Sequence, residues 1–142
     1  MEVSDVRRRI RAAIDAARIR AAERRSRTDE ASRAYDGFLE TIAVPAFHTV
    51  TSALTGEGHR FKVITPGRAV RMSSERSPED FIELVLDTER NAPAVVIVTS
   101  RGRGRRTVST ERLVREDLPI AELAEEDVVA ALLEELLPFI ER

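Results

Sequence analysis

The chain has 142 residues, enough for one ordinary domain or a small domain with an extension. Hydrophobic residues make up 42% of it and aromatic residues 4%, without tryptophan; this suits a core of Val, Leu, Ile and Ala and disfavours stacking of bases or sugars on exposed rings. A formal net charge of -2 gives no overall pull toward nucleic acid or membrane, and the absence of cysteine excludes disulfides, thiolate zinc sites and cysteine nucleophiles.

Residues 1–43 contain one glycine and no proline and are rich in Ala, Arg and Glu, which predicts a long helix that Ser4 can cap. Val3, Val6, Ile10, Ala13 and Ala17 follow the 3-4 spacing of a heptad seam. The seam lapses at Arg20, Arg24 and Arg27, then returns in register at Ala31, Ala34 and Phe38, where Tyr35, Leu39 and Ile42 widen the apolar face. These eight seam residues are the candidates for self-association. A helix of about 40 residues runs about 60 Å at 1.5 Å per residue. That exceeds the width of the remaining body, so part of it should project or pack on another chain. The alternative is two helices with a soft break near residues 25–28. Arg7, Arg8, Arg9 and Arg11 point in several directions on such a helix and read as a solvated surface.

Pro45 interrupts the pattern and suits the first turn of a short second helix, "PAFHTVTSAL", with Phe47, Val50 and Leu54 inward and Gly56 and Gly58 at its end. The period then changes to two. "HRFKVIT" and "AVRMSS" alternate on either side of a Pro66–Gly67 turn and predict a hairpin. "SPED" reads as a turn leading into a strand from Phe81 to Thr88, although a helix cap is the competing reading. "AVVIVTS" is an interior strand. It runs into "RGRGRR", residues 101–106, and "TVSTERLV" returns from it. In the expected register Arg101 faces Arg105 across a Gly102–Arg103–Gly104 loop, with Gly104 left-handed.

Asp117 and Pro119 are read as the start of a C-terminal helix. Ile120, Leu123, Val128, Val129, Leu132, Leu133, Leu136, Leu137 and Ile140 form its broad apolar face, acids fill the other side, and Pro138 ends or kinks it. Between Arg101 and Arg115 there are six basic residues and one acid; from Glu116 onward nine acids face Arg142 alone. A basic hairpin followed by an acidic helix can satisfy itself within a chain or between chains.

The candidate partner- or anion-binding residues are Arg101, Arg103, Arg105 and Arg106. Lys62 is the only lysine, an arginine bias that resembles the codon usage of a GC-rich bacterial genome, so arginine at the tip does not signal bidentate recognition. His48 and His59 have no ligand companions at metal-binding spacing, and no Walker loop, dinucleotide fingerprint or nucleophile elbow occurs. No catalytic residue, metal or cofactor is therefore assigned. The charged N-terminal stretch is no signal peptide, and no run approaches the ~18 apolar residues of a membrane span, which makes the cytoplasm the expected location.

The expected fold class is α+β: a long N-terminal helix able to form a coiled coil, a short second helix, an antiparallel β-meander of about five strands, and a C-terminal amphipathic helix packed on the sheet. Residues 1–57 form a helical arm for self-association and residues 58–142 the α+β body. The expected function is a non-catalytic, homodimeric protein-interaction or assembly (adaptor) protein with an unspecified protein partner and no membrane role. Nucleic-acid binding through residues 101–106 is the alternative. A small-ligand domain or enzyme, with a pocket between sheet and helix, comes last.

Overall fold

The computed structural model describes residues 1–141. Helix α1 spans Val3–Phe38, and a π-helical turn, Leu39–Ala43, joins it to α2, Val44–Gly56. Five strands follow, β1 (Phe61–Ile64), β2 (Val70–Ser74), β3 (Phe81–Asp87), β4 (Ala94–Arg103) and β5 (Arg106–Leu113), then a 3₁₀ turn (Ile120–Glu122) and α3 (Glu125–Ile140). The chain is α+β, and its strands form one antiparallel sheet in the order β1-β2-β3-β4-β5. Among the described residues no helix is long and apolar enough to cross a membrane.

Helix α1 runs without the soft break weighed for residues 25–28. Its good helix formers carry it through the polar middle. The π turn solves a spacing problem. Phe38 and Ala43 are five residues apart and both are buried, a step that a turn with i to i+5 bonding places on one side. Pro45 then sits in the first turn of α2, where its missing N–H costs least. Ala46, Phe47 and Val50 follow on the same buried face.

Alternation along the strands sends one set of side chains under the helices. Met72 faces Ile82, Val70 faces Leu84, and Leu84 faces Ile97; all five are fully buried. Above them pack Tyr35 and Phe38 from α1, Phe47 from α2, and Val128, Leu132 and Leu136 from α3. The opposite face carries Ile64, Phe81, Val85 and Val98, all at least partly exposed, with Arg71 stacked on Phe81 at 3.8 Å and paired to Glu83 at 3.0 Å. Arm and body meet at a polar joint. Tyr35 donates its hydroxyl to the Arg68 carbonyl at 2.6 Å, and Arg68 pairs with Asp36. Burial pushes the Tyr35 phenol well above its ordinary value, so it remains a donor throughout the physiological range.

Ser4 lies inside α1, whose N-cap is Glu2 with no side-chain cap bond; two further local expectations are corrected. The C-terminal helix starts at Glu125, not at Asp117 or Pro119. Leu123 is extended and buried, and Asp127 reaches back to accept the Ala124 N–H at 2.8 Å, which makes Ala124 the N-cap. Pro138 lies inside the final turn, and the helix runs two residues past it to Ile140. The second correction is the hairpin register. Arg103 faces Arg106 and Arg101 faces Val108, leaving Gly104 and Arg105 as a two-residue loop. Gly104 does take the left-handed conformation, φ +64, while Arg105 does not. Glycine at the first of two loop positions is the pattern of a II′ turn, whose twist matches the flanking strands.

Candidate functional site

The corrected register decides how the basic tip is presented. Arg101 and Arg103 lie two apart on β4, so both point to the helix-bearing side of the ribbon, and Arg106 joins them as the partner of Arg103. Arg105 occupies the turn. Arg103, Arg105 and Arg106 are exposed and Arg101 is half-buried. Among the described residues none of the four forms an ion pair. The directly opposed Arg103–Arg106 pair is an unfavourable contact of a few tenths of a kcal/mol, about 0.2–1 at most.

The acidic helix of the same chain serves other arginines. Glu134 pairs with Arg112, which lies further down the same ribbon face opposite Ile97. Glu135 approaches Arg112 at 3.7 Å and accepts a hydrogen bond from Thr99 at 2.9 Å. The α3 carboxylates thus cover the base of the hairpin and leave its tip uncompensated. The hydrogen bond to Glu134 raises the affinity of the Arg112 guanidinium for its proton.

A buried carboxylate also anchors the ribbon from the other side. Asp80 is 4% exposed and accepts the Gly102 N–H at 2.7 Å, while Ser100 donates to the Glu79 carbonyl at 2.8 Å. A Cβ on Gly102 would come within 3.0 Å of Glu79 Cγ. Gly102 thus lies against the Glu79 side chain, the kind of close approach that an isolated glycine inside a strand can announce.

Arg115 closes the acidic segment. It grips Asp117 with two bonds of 2.7 and 2.6 Å and reaches Asp127 at 2.8 Å. Hydrogen bonding from Arg115 lowers the Asp117 carboxyl below its ordinary value of 3.8. Because the folded value lies below the unfolded one, its contribution to stability is complete above the ordinary value and lost as pH falls through the lowered one. A carboxyl NMR titration should show Asp117 ionising below its ordinary value of 3.8, and Arg115→Ala should return it to the ordinary range. An unchanged titration in that variant contradicts the pairing.

The predicted seam divides in two. Val3, Val6, Ile10, Ala13 and Ala17 are exposed, Val3 at 73% and Ile10 at 53%, and Ile14 and Ile19 beside them are also open. Ala31 and Ala34 pack against the body's own core and Phe38 is buried in it. Among the described residues no hydrophobic side chain before Ala31 joins or packs against that core, so residues 3–30 form an arm of about 42 Å at 1.5 Å per residue. His48 is exposed on α2. His59 lies with Arg60, Arg76 and Phe139 in an open cleft of about 680 Å³ at the β1 edge.

No family model, curated protein or solved structure matches this chain.

Proposed function

We propose that this protein is a non-catalytic homodimeric interaction or assembly factor, associating through its N-terminal arm and presenting its body to a protein partner. The observation that carries the reading is the arm itself: a continuous helix whose Val3, Val6, Ile10, Ile14 and Ile19 are exposed. Isolated helices draw little stability from propensity alone and most of it from packing an apolar face. The arm half of the seam, of which no apolar side chain joins the core among the described residues, has its natural complement in another chain. The half-covered apolar face of the sheet, with Phe81, Val85 and Val98, is the surface offered to the partner.

The test is sedimentation equilibrium on full-length protein at micromolar concentration. Val6→Lys with Ile10→Lys should convert a dimer into a folded monomer, weakening association at least a hundredfold. Both positions are exposed, so circular dichroism should show the body intact. A dimer unaffected by both charges counts against the arm.

A second reading is favoured by one observation, the four tip arginines without an ion pair among the described residues. If they grip a phosphate backbone, duplex binding should weaken with salt at a log–log slope of about -3.6 for four phosphate contacts. Replacing all four by alanine should abolish it. No shift by the wild type at low salt removes this reading.

A further inference from the structure

Helix α3 carries two apolar stripes, and the body uses one. Val128, Leu132 and Leu136 are fully buried on the sheet. Ala130, Leu133, Leu137 and Ile140, spaced 3-4-3, are exposed, the last three at 55%, 52% and 42%. This outer stripe has the same spacing as Val3, Val6, Ile10 and Ala13 on the arm. It is bordered by Glu126, Glu134 and Glu141. Glu134 is paired with Arg112; Glu126 and Glu141 form no ion pair among the described residues.

Charge selects what covers it. Residues 1–28 hold nine arginines against four acids, and residues 29–142 hold fourteen basic residues against twenty-one acids. Arg7 and Arg9 flank the arm's seam on its two sides. Arm on arm, or α3 on α3, brings like charges together; arm on α3 brings opposite charges beside matching apolar rows. Among the described residues, no hydrophobic side chain of the chain's own arm before Ala31 joins its core.

We propose that the outer stripe of α3 is the docking site for the arm of a second copy of this chain, exchanged reciprocally about a two-fold axis. The inference rests on the homodimer reading and names the surface that reading requires.

The chain has no cysteine, so introduced thiols report one contact at a time. Full-length variants carrying Val6→Cys or Ile10→Cys are mixed with variants carrying Leu133→Cys or Leu137→Cys and oxidised. Disulfides between an arm thiol and an α3 thiol, at least tenfold over arm–arm and α3–α3 products, are the expected result. Charge reversal supplies the second arm of the test. Arg7→Glu with Arg9→Glu, or Glu126→Arg with Glu141→Arg, should each weaken self-association at least tenfold, and an equimolar mixture should recover it. Arm–arm or α3–α3 disulfides only, or a dimer without any disulfide, overturn the docking site while leaving the homodimer standing. A wild-type monomer overturns both.

Discussion

Replacing Leu132 with alanine is expected to lower the free energy of unfolding by about 2–5 kcal/mol. The side chain is fully buried between α3 and the sheet, among Val128, Leu136 and the strand residues beneath them. Truncation removes its burial and leaves a cavity that neighbouring rigid elements fill only in part. One residue on, Leu133 is 55% exposed. Leu133→Ala should change the stability of the monomer by less than about 0.5 kcal/mol. Urea melts of the two variants, made in the monomeric Val6→Lys, Ile10→Lys background, make a matched pair. Together they fix the rotation of α3, and with it the face left free for a second chain. Equal losses in the two variants would contradict the assignment of its inner and outer stripes.

Asp80→Ala should cost about 1.5–3 kcal/mol, the range for a hydrogen bond to a charged group whose partner is left buried. The carboxylate is 4% exposed and holds the Gly102 N–H at 2.7 Å. Its loss removes the Gly102 tie and leaves the bond from Ser100 to the Glu79 carbonyl to hold residues 79–80 against the arginine ribbon. Asp80→Asn keeps an acceptor oxygen at nearly the same volume and should lose less. Amide exchange distinguishes this from a general loosening: the Gly102 N–H should lose protection ahead of interior strand amides such as Ile97. Unchanged protection at Gly102 in the alanine variant would contradict the anchoring role.

The strands were legible because local chemistry and tertiary need agree there. Alternation in "HRFKVIT" and "AVRMSS" matches the observed pairing of Val63 with Met72, and Gly67 takes the positive φ that its turn demands. "SPED" resolved as a turn before β3 because Asp80 is taken by Gly102. Misreadings arose where a residue has two local uses and a distant contact chooses between them. Gly104 is left-handed as its place in the sequence suggests, but Gly102 stays in the strand, its N–H held by Asp80, so Arg101 faces Val108 and not Arg105. Asp117 and Pro119 resemble a helix start, but Arg115 claims Asp117 and the cap is completed by Asp127. The heptad register continues from Ala17 to Ala31, yet spacing alone does not separate a partner helix from the chain's own core. Ala31 and Ala34 pack on that core and Phe38 enters it. The arginine tip was visible as composition. Its presentation, three arginines on one ribbon face with no ion pair among the described residues, needed the register.

The central claim, association through the arm, is tested most directly by the mass of the unmodified protein in solution. Sedimentation equilibrium at micromolar concentration should give twice the chain mass of 15.9 kDa. A single species of 15.9 kDa at that concentration would contradict it.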